Sequence, residues 1–357
     1  MIARFLYYDG GFLEHFARDR IFETFTGFDE TGDGGISAGG PRGLAAEQRA
    51  LTVAHQHDDR RIDARKNLIA TRSVGALHHV TRARRHAART ADAALMCLVA
   101  LAWDSHPRYR AVVVANRDEF HSRAAAPVAA WADAPHLLGG RDLQASGTWF
   151  ALDRQRRFGL ITNYRERTRP RRSAPTRGRL IPDYLSASLS PRAFLASIED
   201  DSAGYAGFNL LLADQHDLWY ASNRLDRYAR PLEPGIHGLS NHTLDTPWPK
   251  LARLRAALAS WTTAAIDDTT TLWTALADRG RAEPPQLPET GVGPEWEHIL
   301  SAPFVLHPEY GTRCSTVLLL GRDGSVDLEE RSFDATGDET GRVRWRLAPG
   351  EWTAAVR

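Results

Sequence analysis

Apolar positions along the chain fall into two regimes that meet near residue 96. Before it, "TGDGGISAGGPRG" (31–43), "HQHDDRRIDARK" (55–66) and "HHVTRARRHAART" (78–90) follow neither the period of two of a strand nor the 3.6 of a helix. Only "RFLYYDGGFLEHFARDRIFETF" near the start has enough aromatics to predict a short helix or two. After residue 96 the pattern is orderly at once. "CLVALAW" (97–103) and "RAVVVAN" (110–116) are apolar runs of strand length around the turn-prone "DSHPRY", which predicts a hairpin. "TWFALD" with "RFGLIT", "GFNLLLAD" with "DLWYAS", and "CSTVLLLGRDGSVDLEERSF" predict three more, the last turning at "RDGS". "GIHGLSN" and "RVRWRL" add single strands. Helical spacing runs through "GRLIPDYLSAS", "PRAFLASIED" with Pro191 at its start, "WPKLARLRAALASW" and "DDTTTLWTALADR". Hairpins at both ends with helices between them predict an α+β fold of antiparallel sheets covered by helices.

The change of regime predicts an organisation of residues 1–95 as a non-domain extension and 96–357 as one domain. A disordered extension, a propeptide and an upstream stretch included by a wrongly chosen start codon all fit 1–95, with a basic interaction tail as the plainer alternative. Heavy use of Arg, Ala and Asp with only two lysines, Lys66 and Lys250, suggests a GC-rich bacterial genome. Stop codons are scarce there in every frame, which favours the wrong start. A formal charge of +1, from 45 basic and 44 acidic residues, gives no field that selects nucleic acid or an anionic membrane. No apolar stretch is long enough for a membrane span and no secretory signal opens the chain, so a cytoplasmic protein is expected. Two cysteines, Cys97 and Cys314, make neither a disulfide framework nor a four-thiolate zinc site.

Met96 and Cys97 stand side by side where order begins. If translation starts at Met96, the small Cys97 side chain permits methionine removal, which leaves a thiol and a free α-amine on one residue; self-cleavage of a propeptide before Cys97 would end the same way. Such an amine, with a pKa of ~7.7–8.0, can take the thiol proton. The plainer reading is a small cysteine buried in a strand. "ANRDEF" sets Asn116, Arg117, Asp118 and Glu119 at the end of the strand that returns beside Cys97. They form either a solvated turn or a polar holder for the amine and thiolate. "TRPRRSAPTRGR" (168–179) reads as a mobile loop or an anion site. His237 and His242 could ligate a metal or haem, but hydrogen-bonded histidines are the simpler expectation. Trp149 and Trp248 read as core or pocket walls. No HExxH, GxGxxG or GxxxxGK[ST] pattern occurs, so no cofactor or metal is expected.

"MCLVALAW", "VVVANRDEF", "GTWFALD", "GLITNYRE", "GFNLLLAD", "LWYASNR", "GIHGLSN", "LDTPWPKL" and "GTRCSTVLLL" together resemble the NRDE family, which includes the transport and Golgi organisation protein 2 of animals. The likeness runs from Met96 to about Phe333. Members begin with the Met-Cys pair, and the family is grouped with the N-terminal nucleophile hydrolases, which implies a four-layer αββα sandwich. The resemblance makes Cys97 the nucleophile and Arg117 with Asp118 the pair that accompanies it. Asn163 and Asn241 match positions of oxyanion donors, or else close strands as turn residues. Arg313 matches a late arginine, or else makes a surface ion pair. Relatives have an Arg-Asn-x-Asp order where this chain has Asn-Arg-Asp-Glu, which leaves Asp118 and Glu119 open as alternatives. The implied function is a cysteine amidohydrolase cleaving a carbon–nitrogen amide bond of a small acyl substrate. The alternative is a non-enzymatic haem or lipid/acyl-CoA carrier.

Overall fold

The computed structural model describes residues 97–166, 174–264 and 266–352. The extension expected over 1–95 and residues 168–173 of the arginine-rich loop lie outside the described residues. β1 (Cys97–Trp103) and β2 (Tyr109–Phe120) form the first expected hairpin, followed by β3 (Ala125–Trp131) and β4 (Ala134–Asp142). The second expected hairpin is β5 (Phe150–Asp153) with β6 (Phe158–Asn163). Helices α1 (Leu180–Ser186) and α2 (Pro191–Ile198) precede the third, β7 (Phe208–Ala213) with β8 (Leu218–Ser222). Short strands β9 (Ala229–Pro231) and β10 (Gly235–Leu239) lead to α3 (Pro249–Ala264), α4 (Thr270–Leu276) and α5 (Pro294–Ile299). The fourth hairpin, β11 (Tyr310–Gly321) with β12 (Val326–Phe333), turns at "RDGS", where Gly324 takes φ +86, a region that a Cβ disfavours. β13 (Glu339–Leu347) closes the series.

The strands make two sheets. One has the order β10-β1-β2-β11-β12-β13 and the other runs β3 to β9 in sequence order. Strand alternation sends Val99, Leu101 and Trp103 inward, where they share a core with Leu152, Leu160 and Leu211 of the other sheet. Leu98, Ala100 and Ala102 face outward and are covered by Leu251, Leu254 and Leu258 of α3. β1 is therefore apolar on both faces, which is why it reads as a continuous run rather than an alternation. On the far side, Leu210 and Leu212 pack under Ile181 and Tyr184 of α1 and Phe194 of α2. The layers are helix, sheet, sheet, helix: the four-layer αββα sandwich. α2 starts as its sequence demands, with Pro191 in the first turn and the Ser190 hydroxyl accepting from the Ala193 N–H at 3.2 Å.

Three differences from the sequence pattern have physical causes. β2 runs to Phe120 rather than ending at Asn116, because it is paired with β1 on one side and β11 on the other. Arg117, Asp118 and Glu119 are buried in it, so the solvated-turn alternative is wrong. The β3–β4 hairpin escaped prediction because "AAPVAAW" and "APHLLGGRD" are rich in Ala, Pro and Gly, poor strand formers. Its register shifts between Ala126 and Ala129, and Val128 and Trp131 anchor it in separate cores. α5, at six residues, is too short to display a helical period.

Candidate functional site

Cys97 opens β1 and pairs across the ladder with Arg117, whose other neighbour is Cys314. Two strand spacings of ~4.8 Å put the cysteines about 10 Å apart, beyond disulfide reach. Both are free thiols. Cys97 borders a cavity of about 290 Å³ between the sheet edges, lined also by Arg117, Asp118, Glu119, Trp149, Asn163 and Arg177.

Alternation along β2 divides the polar residues between two tasks. Asn116 points into the helical layer, where its Nδ2 donates to the carbonyls of Leu276 and Pro303, both at 2.9 Å, and its Oδ1 accepts from Ser315 at 2.6 Å. It is a structural latch. Arg117 lies with its guanidinium 4.3 Å from the Trp149 ring centroid and 3.5 Å from Glu119. Glu119 reaches Arg123 at 3.6 Å, and Arg123 binds Asp142 at 2.7 Å. One cavity wall is thus a chain of alternating charges. Arg117 Nη1 is buried without a partner. Asp118 Oδ1 accepts from the Thr312 hydroxyl at 2.7 Å, whereas its Oδ2 is buried and unpartnered. Burial raises the Asp118 carboxyl to about 6, against the pull of Lys250, Thr312 and Arg117.

The thiol is the weak point of the site in the uncut chain. Burial first, then the Asp118 and Glu119 carboxylates, push Cys97 up to about 12, against the opposing pull of Arg117 and of an N–H donated by the Asp118 backbone. The residue keeps partial exposure to the cavity, but its sulfur is hemmed in by packed atoms and acidic neighbours. Near neutral pH such a thiol is protonated and unreactive.

Of the other expected site residues, Asn163 ends β6 at the cavity wall, and among the described residues its side-chain amide makes no hydrogen bond. Its carbonyl accepts from Asn241 Nδ2 at 2.9 Å. Asn241 is fully buried behind it, and its carbonyl receives the Arg165 N–H at 2.8 Å. Ser240, next to Asn241, donates to the Cys97 carbonyl at 3.2 Å, which ties the start of β1 to the same loop. The geometry brings Cys97, Arg117, Asp118 and Asn163 to one cavity with Asn241 as a brace. It leaves Arg313 outside. Arg313 Nη1 donates to the carbonyls of Phe120, His121 and Arg123 at 3.0–3.2 Å and pins the corner after β2. His237 is held by Asp245 and the Glu233 carbonyl, and His242 by Thr243 and Thr246. Among the described residues no group of three or more His, Cys, Asp or Glu could hold a metal ion, and no helix is long and apolar enough to cross a membrane.

The sequence reading missed a buried ion pair and a buried lysine behind the cavity. Arg165 meets Glu297 at 2.8 Å with both side chains almost fully buried, and its guanidinium lies 5.2 Å from the Trp248 ring centroid. Lys250 is 1% exposed and its Nζ has no hydrogen-bond partner. A signal existed for the second. In a chain that uses arginine almost exclusively, a lysine inside the "DTPWPKL" motif is an exception that composition makes visible.

The site thus lies in an αββα sandwich in which a cysteine opens an interior strand beside a buried arginine and aspartate. The chain belongs to the Transport and Golgi organisation 2 family, whose pattern matches residues 96–335. It is 32% identical over 290 residues to the transport and Golgi organization protein 2 homolog of Bos taurus, covering 71% of this chain and 99% of that one. It is 31% identical over 262 residues to the Homo sapiens homolog, covering 67% and 93%. Among solved structures, a mutant conjugated bile acid hydrolase from Clostridium perfringens aligns over 71% of this chain and 92% of its own, with 7% identity and a TM-score of 0.38.

Proposed function

We propose that this chain is a cysteine amidohydrolase whose nucleophile is Cys97, active when Cys97 is the first residue and acting on a carbon–nitrogen amide bond of a small acyl substrate. One observation carries the reading: the register that sets Cys97 against Arg117 and beside Asp118 at the cavity, with Asn163 on its wall. In the uncut chain the Cys97 nitrogen is an amide and is no base. Freed, the α-amine takes that proton as the sulfur bonds to the substrate carbonyl carbon. Asn163 donates to the oxyanion while Asn241 holds the Asn163 backbone. The C–N bond then breaks, the α-ammonium returns its proton to the departing amine, and water attacking the thioester releases the acid and restores the thiol. Asp118, with its free oxygen, is the carboxylate that orients the amine. Glu119 is already engaged by Arg117 and Arg123.

The test uses the full chain with a specific protease site inserted immediately before Cys97, so that one folded protein is compared before and after cutting. Cutting should switch on hydrolysis of members of an acyl-amide panel, and Cys97→Ser or Cys97→Ala should abolish it. Turnover that survives Cys97→Ala sinks the mechanism. A second reading is binding of haem or of a lipid or acyl-CoA without turnover. It expects a spectral change on haem titration, or retention of an acyl ligand, that is indifferent to cutting.

A further inference from the structure

Lys250 sits in the first turn of α3, beneath the outer face of the sheet that contains β1 and β2. Its amine is buried without a hydrogen-bond partner, and so is Oδ2 of Asp118. An isolated buried ammonium is costly: either an opposite charge answers it or it gives up its proton. The groups that act on Lys250 come from four elements: Asp118 on β2, Cys97 on β1, Arg165 after β6 and Glu297 on α5. Asp118 in turn feels Lys250, Thr312, Arg117 and Glu119. Lys250 and Asp118 are each the foremost opposite charge acting on the other, and the register that pairs Cys97 with Arg117 sets the start of β1 beside Asp118.

We propose that Lys250 is a positioning residue for the nucleophile, its ammonium offsetting the Asp118 carboxylate so that the freed α-amine of Cys97 stays unprotonated near neutral pH. The inference rests on the amidohydrolase reading and adds a residue to it. A buried carboxylate alone beside the α-amine would stabilise the α-ammonium, which is no base. With Lys250 opposite, the amine faces a neutralised pair. Burial works to neutralise both groups, lowering Lys250 and raising Asp118, while the charge of each works to keep the other ionised. Lys250 does not border the cavity and touches no substrate. It acts only through the charge balance.

The experiment follows the rate of Cys97 alkylation by iodoacetamide against pH in the protein cut before Cys97. Lys250→Met keeps the stem and removes the charge. The midpoint at which the thiol becomes reactive should rise by about one to three pH units, the usual effect of an opposite charge left unscreened at short range. In an Asp118→Asn background the same substitution should leave the midpoint unmoved, because a buried Lys250 without its carboxylate is already neutral. Lys250→Gln serves in the same comparison should the methionine variant fail to fold. A cut wild-type protein with a reactive thiol and an unmoved midpoint in Lys250→Met overturns the assignment and leaves the amidohydrolase reading standing. An equal shift with and without Asp118 also overturns it. A cut protein whose thiol is no more reactive than the uncut one overturns the amidohydrolase reading itself and the assignment with it.

Discussion

Removing the Glu297 carboxylate should cost the fold several kcal/mol, and the reason is the guanidinium left behind. Glu297 accepts from Arg165 Nη1 at 2.8 Å and from the Thr290 N–H at 2.8 Å, and its partner's side chain is 1% exposed. Glu297→Ala takes the carboxylate from a buried guanidinium, and breaking one side of a buried pair costs about 3–5 kcal/mol. At roughly 2–4 °C per kcal/mol for a domain of this size, thermal unfolding should fall by about 6–20 °C. The Arg165→Met/Glu297→Leu double variant removes both charges and keeps the volume. It should unfold near the wild-type temperature or above it, since the desolvation penalty of both ions disappears. Calorimetry of the three proteins at pH 7 decides. If Glu297→Ala loses less than about 1 kcal/mol, or the double variant falls as far as the single one, the pair is effectively solvated and the account is wrong. The consequence reaches the site, because the Arg165 N–H holds the Asn241 carbonyl and Asn241 holds Asn163. The double variant, which leaves that backbone bond intact, should keep the cavity wall.

Further outcomes test other parts of the reading. The Asp118 carboxyl is raised in the folded state, so its contribution to stability is present below its unfolded value of ~3.9 and lost as pH rises through about 6. Lys250 is lowered, so its contribution is present above ~10.4 and lost as pH falls through about 8. The wild type should therefore be weakest relative to Asp118→Asn/Lys250→Met between pH 6 and 8. Urea unfolding at three pH values checks this, and a difference that stays flat with pH refutes it. Asn163→Ala, removing the proposed oxyanion donor, should lower kcat of the cut enzyme by about 10²–10³-fold with little change in stability. A Cβ on Gly147 would clash with the Gly178 carbonyl oxygen, and that carbonyl receives the Thr148 N–H at 3.0 Å. Gly147→Ala should therefore push the Arg177–Gly178 segment off the cavity rim, measurable as faster hydrogen exchange at Thr148.

Much of the architecture was legible without coordinates. A run such as "CLVALAW" must be a strand buried on both faces, and four apolar hairpins with amphipathic helices between them leave few arrangements other than helix-covered antiparallel sheets. Cys97 as a candidate followed from its neighbour Met96, and Arg117 with a carboxylate, Asp118 or Glu119, from four polar residues leaving an apolar strand. These are local facts, carried by residue type and spacing. The sequence could not say that "NRDE" lies within a strand rather than in solvent, because a neighbouring strand 190 residues away, β11, supplies the pairing that keeps it extended. Nor could it separate Arg313 from the cavity: one position of strand geometry decides whether a guanidinium faces a pocket or three carbonyls at a corner. Glu297 was invisible as a site residue for the same reason, and Lys250 was marked only by the rarity of lysine in this chain. Their burial, and the proton affinities of Asp118 and Cys97 that follow from it, depend on the low-dielectric space made when helices close over the sheet, and that space exists only in the assembled fold.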